Sequence, residues 1–127
     1  MSLRMLKVAS LMCLAFPLVA AADAPDLAMP MYCSGSEPFW GLTIHDAKTA
    51  TYVWDNQPMP WKVRSIGHAS GRPSTWRVVF EGKNREAFIF DEGQQGCSDS
   101  DSDTPSAFGL LLQDGEGLLR GCCDPKT

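Results

Sequence analysis

Three things are scarce in this 127-residue chain: positive charge, long apolar runs and helical periodicity. Lys and Arg number 11 against 15 Asp and Glu, a formal net charge of −4. That balance argues against nucleic acid and anionic membrane as partners, since both are held by clustered cations. It favours solubility or a cationic partner. The longest apolar stretch, Val8 to Val19, is shorter than the ~20 residues a spanning helix needs. No amphipathic helical pattern lasts beyond a turn or two, which points away from helix bundles. There is no G-x-S-x-G nucleophile elbow and no C-x-x-C pair of the kind structural zinc sites use. Only two histidines occur, His45 and His68. Asp91 and Glu92 are adjacent and need not converge on one substrate. The reading is of a non-catalytic chain with no implied cofactor.

The first residues form a secretory signal. Arg4 and Lys7 make a positive start, Val8 to Val19 an apolar middle, and Ala20-Ala21-Ala22 a small-residue cleavage site. Cleavage is expected after Ala22. A cut after Ala24 would leave Pro25 just beyond it, a poor arrangement. Cys13 lies in the apolar run after Leu11 and Met12, which are too large for a lipoprotein site, so it leaves with the signal. Losing Arg4 and Lys7 and no acid leaves nine cations against fifteen acids, a net −6. The chain is thus expected to be periplasmic or secreted, with no membrane span after cleavage.

Four cysteines then remain: Cys33, Cys97, Cys122 and Cys123. An even number in an oxidising compartment predicts two disulfides. Adjacent cysteines seldom pair with each other, because the peptide plane between them must distort. Cys33 and Cys97 are therefore expected to take Cys122 and Cys123, one each, in an order the sequence leaves open. Closing a loop of such length is worth ~4 kcal/mol in the chain-entropy model, a large share of the ~5–15 kcal/mol available to a small domain.

The rest reads as short alternating runs between Gly, Pro, Asn and Asp. Asp23 to Pro30 is expected to be a flexible lead-in, and residues 31–127 one domain. Strands are predicted over Phe39 to His45, Thr49 to Trp54, Trp61 to Ile66, Thr75 to Glu81, Arg85 to Phe90, Phe108 to Gln113 and Leu118 to Cys122. Asp46 and Lys48, Asp55 to Pro58, Gly82 to Asn84, and Asp114 to Gly117 supply turns. About seven strands with short connections predict an all-β fold, a small antiparallel meander barrel or sandwich. Neighbouring residues of a strand point to opposite faces. Cys122 and Cys123 would thus leave the last strand on opposite sides and serve two separate bridges.

Cys33-Ser34-Gly35-Ser36-Glu37-Pro38-Phe39-Trp40, Cys97-Ser98-Asp99-Ser100-Asp101-Ser102-Asp103 and Gly121-Cys122-Cys123 together resemble a family of small exported bacterial proteins. Its members carry a C-x-G-[TNS]-E-P-F-W opening and a C-S-D-x-x-S-D loop, and occur alone or beside heat-shock-lipoprotein-like META domains. Thr104 to Phe108 departs from the Tyr-Pro-Phe that usually follows the acidic loop. The resemblance implies export and fold class, and no activity.

Candidate binding residues fall in two places. Glu37 precedes Pro38, which disfavours a helical conformation at Glu37 and predicts an extended one. Trp40 is expected in the core with its indole N–H partnered, and Glu37 either accepts a hydrogen bond from that partner shell or stands exposed as a ligand-binding acid. His68 to Trp76 contains Ser70, Gly71 and Arg72 and faintly resembles the S-x-S-G-x-x-Y loop of periplasmic c-type lysozyme inhibitors. Lysozyme, a cationic protein, is the partner that likeness implies. Asp99, Asp101 and Asp103 alternate with serine like the start of a calcium loop. The EF-hand's Gly and Glu are replaced by Thr104 and Leu110, so only a looser site is conceivable. Met29, Met31 and Met59, with His45 and His68, are the thioether and imidazole groups that suit copper.

Overall fold

Each predicted strand is too short to bury its apolar side alone, and the chain answers this by rolling one continuous sheet closed. In the computed structural model, residues 12–15, 26–71, 73–98 and 104–125 are described. Almost all of the expected signal, its cleavage point after Ala22, Arg72, and Asp99, Asp101 and Asp103 lie outside them.

The strands are β1 (Met31–Gly35), β2 (Trp40–Ile44), β3 (Thr49–Trp54), β4 (Gln57–Ala69), β5 (Thr75–Phe80), β6 (Arg85–Asp91), β7 (Phe108–Asp114) and β8 (Gly117–Pro125). Each pairs antiparallel with the next, and β8 returns to β1, so the sheet is a closed up-and-down barrel. Eight strands form rather than about seven. The additional one is β1, hidden in sequence because Cys33, Ser34 and Gly35 carry little strand signal. It is specified by pairing on both sides, with β2 and with β8.

Alternation sets the interior. Met31, Leu42, Ile44, Val78, Phe80, Ile89, Leu110 and Leu112 point inward and are fully buried. On β6 the inward residues are Ala87 and Ile89, leaving Phe88 and Phe90 half-buried on the outer wall. Leu27, in the segment expected to be a flexible lead-in, is buried in the core cluster.

β4 is twice the predicted length. Its first half pairs only with β3, and from Val63 onward it pairs with β5, with a register shift between Val63 and Ser65. Pro58 and Pro60 fall in the first half, where a strand with one neighbour tolerates the missing N–H. They also blunt the open edge of that half.

The barrel has two distinct ends. The turns at 36–39, 55–56, 81–84 and 115–116 meet at one end. The other end carries the chain's entry to β1, the turns at 45–48 and 70–74, the long β6–β7 connection and the exit from β8. At the 45–48 turn, Asp46 accepts the backbone N–H groups of Lys48 and Thr49, each at 2.8 Å. Those donors hold its carboxyl below the usual aspartate range.

Both disulfides form and their order is fixed. Cys33 bonds Cys123, and Cys97 bonds Cys122. Cys123 faces the core with Cys33, while its neighbour Cys122 faces out to the β6–β7 connection. Cys13 is free.

Candidate functional site

Trp40 stands at the base of the opening motif and is buried. Its ring lies against Gly35 and Gly121, where a Cβ on Gly121 would come within 2.7 Å of Trp40 Cζ2 and also strike the Ser34 carbonyl. Only glycine allows the ring that position. Trp40 is therefore buried within the wall, in the core place expected for it. Glu37 is exposed, with φ +58° in the turn between β1 and β2, and is not extended as Pro38 suggests. The four-residue reversal decides its conformation.

Above Trp40, the inward-facing residues nearest that end leave an open cavity of about 280 Å³. Tyr52, Trp54 and Met59 line it from β3 and β4; Asp114, Gly117 and Leu119 line it from β7 and β8. An aromatic ladder forms the first wall. Tyr52 stacks on Trp61 with ring centroids 4.3 Å apart and on Trp54 at 6.5 Å, and Trp61 meets Phe80 at 5.2 Å. Arg85 reaches over this ladder from β6. Its guanidinium carbon sits 4.2 Å from the Trp61 ring centre, and its Nε donates to Asp114 Oδ1 at 3.0 Å. Such a stack orients the guanidinium and shields it from water on one face. Burial pushes the Tyr52 phenol up from its ordinary value, and the negative charge of Asp114 adds to this, while Arg85 pulls the other way.

The rim continues the apolar surface outward. Trp54 is 40% exposed and Met59 41%; Phe39, 62% exposed, lines a second hollow with Pro38, Trp54, Asp55 and Asn56. Leu118 is 68% exposed beside the cavity wall. Four of the exposed large apolar residues thus gather at one end. Asp55 and Asn56 both have positive φ, which a two-residue hairpin turn requires.

The other sequence candidates are scattered. Ser70 and Gly71 are exposed at the opposite end, and Trp76, the aromatic of that loop pattern, is buried in the core. His68 faces inward against Trp76 at 5.5 Å. Met31 is fully buried, Met59 lies at the cavity and Met29 precedes β1 at the far end, so the methionines do not assemble. His45 Nε2 lies 2.7 Å from Thr51 Oγ1. Among the described residues, no group of three or more His, Cys, Asp or Glu is placed to hold a metal ion.

Residue patterns alone did not single out Tyr52, Trp54, Arg85, Asp114 or Leu119, and Met59 was singled out only as a thioether that could suit copper. A signal existed: they are the inward-parity residues closest to the turns of one barrel end. Using it requires knowing that the sheet closes. No family model, curated protein or solved structure matches this chain.

Proposed function

We propose that the chain is an exported binding protein that seats a small ligand, or a protruding group of a larger partner, in the open end of its barrel. One observation carries this reading: the cavity between Trp54 and Leu119, whose apolar lining continues onto exposed Trp54, Met59 and Phe39. Mouths of small barrels are recurrent ligand sites, and apolar walls with a few placed polar groups are their usual chemistry. At about 280 Å³ the space suits a single ring or a short branched chain. Export is supported by the signal-like leader, by the resemblance to small exported bacterial proteins and by two disulfides, which persist in oxidising compartments.

Fluorescence titration with the neutral probe N-phenyl-1-naphthylamine tests the site. Saturable binding to the intact protein is expected, weakened at least tenfold by Trp54→Ala. Binding that is unsaturable, or unchanged in that variant, overturns the reading.

A further inference from the structure

The walls of the cavity differ in chemistry. One is aromatic, from Tyr52 and Trp54; the facing one presents Asp114 beside Leu119. The surrounding turns carry Glu37, Asp55, Glu81 and Glu116. Cations stand near this end too: Lys83 on the β5–β6 turn, Arg85, Lys62 beside Glu81, and Arg64, which shares an outer hollow with Gly82, Asn84 and Arg85. The Arg85 charge is already engaged: Nε donates to Asp114, Nη1 donates to the Glu81 carbonyl at 3.4 Å, and the guanidinium covers Trp61. The cavity lining itself is apolar apart from Asp114, whose carboxylate is its one charged group.

From this we infer that the occupant is a small organic cation, a flat or compact apolar group bearing an ammonium, received between the Trp54–Tyr52 face and the Asp114 carboxylate. The inference rests on the open end being the binding site. An aromatic face attracts a cation through its ring quadrupole, most strongly for tryptophan. Arg85 on Trp61 shows the same ladder already satisfying one cation. A carboxylate opposite the ring fixes where the positive charge sits, and the acidic rim raises the local concentration of cations. An anion would meet Asp114 and the rim acids, and none of the described residues lining the cavity is a cation.

Three probes of similar size decide the matter: benzyltrimethylammonium, benzyl alcohol and benzenesulfonate. Chemical shifts of the Trp54 indole N–H report each titration, with the indole signal assigned by its loss in Trp54→Phe. The ammonium is expected to bind about tenfold more tightly than the alcohol, within the range cation–π contacts give, and the sulfonate more weakly than both. Asp114→Asn should erase the preference for the ammonium while leaving the alcohol within twofold. Arg85→Gln, which frees the carboxylate, should strengthen the ammonium alone. Opposite effects of these two variants cannot arise from general damage to the fold, and Arg85→Gln decides alone if Asp114→Asn does not fold. Equal binding of ammonium and alcohol, or tightest binding of the sulfonate, overturns the inference and leaves the site standing. Failure of all three to shift Trp54 overturns both.

Discussion

Cys33 on β1 and Cys123 on β8 stand directly opposite one another, with Cα atoms 4.0 Å apart, at the one seam where the first and last strands meet. Hydrogen bonds alone would have to hold that seam against the freedom of the whole intervening chain. The disulfide joins residues 90 apart and does so from inside the core. Its neighbour Cys97–Cys122 spans 25 residues and lies on the outer wall. One adjacent cysteine pair thus serves two different tasks, sealing the wall and pinning the β6–β7 connection.

Removing the two bridges should therefore cost unequally. In the chain-entropy model the inner bridge is worth ~4.5 kcal/mol and the outer ~3.5 kcal/mol. Cys33→Ala/Cys123→Ala also empties core volume, which widens the gap. Urea unfolding of the two double variants is expected to show the inner pair as the larger loss by at least about 1 kcal/mol. A larger loss for Cys97→Ala/Cys122→Ala would contradict the assigned roles.

The fit of Trp40 against Gly121 gives a local test. Gly121→Ala forces a methyl group into Trp40 and the Ser34 carbonyl, an overpacking worth about 1–3 kcal/mol. Gly41→Ala is the control, because its added Cβ meets nothing closer than 3.8 Å. Thermal melting should drop clearly for the first and little for the second. The near-UV spectrum should change only for Gly121→Ala, as Trp40 shifts.

Tyr52 predicts an alkaline limb in stability. Its pKa is raised in the folded protein, first by burial and then by Asp114, with Arg85 opposing. The neutral phenol is favoured by folding, so this contribution is complete below the unfolded tyrosine value near 10. It is lost as pH climbs through that value toward the higher folded one. Absorbance at 295 nm should show a late-ionising phenol among the two tyrosines, absent in Tyr52→Phe and earlier in Asp114→Asn. Stability of Tyr52→Phe should also fall less steeply above pH 10.

Much of the architecture was legible because it rests on alternation. Leu42 and Ile44, or Trp76, Val78 and Phe80, declare their faces in sequence, and Cys122 and Cys123 declare opposite ones. β1 escaped because Cys33, Ser34 and Gly35 become a strand only through pairing with Leu42, Gly41 and Trp40 on one side and with Cys123 and Cys122, far along the chain, on the other. The prolines at 58 and 60 disguised the first half of β4, which tolerates them only because β5 begins its pairing at Val63. Site residues were harder still. Asp114 looked like part of a turn and is the last inward residue of β7, and Arg85 was read only as the first residue of a strand and lies across Trp61. Such placements follow from barrel closure, which no local pattern encodes. Trp40 is in the core as its pattern suggests, whereas Glu37, expected to be extended before Pro38, sits exposed in a tight turn at positive φ.

The Met31–Pro125 pairing at the seam carries a practical meaning of another kind. Whatever precedes Met31 and whatever follows Pro125 emerge side by side, from the face farthest from Trp54 and Met59. A tether, affinity handle or immobilising surface attached at either terminus therefore holds the molecule by its back. Every copy on a sensor chip or bead would present its cavity outward, and a short linker joining the two ends, with the chain reopened at another turn, would give a circular permutant whose join stays off the binding face.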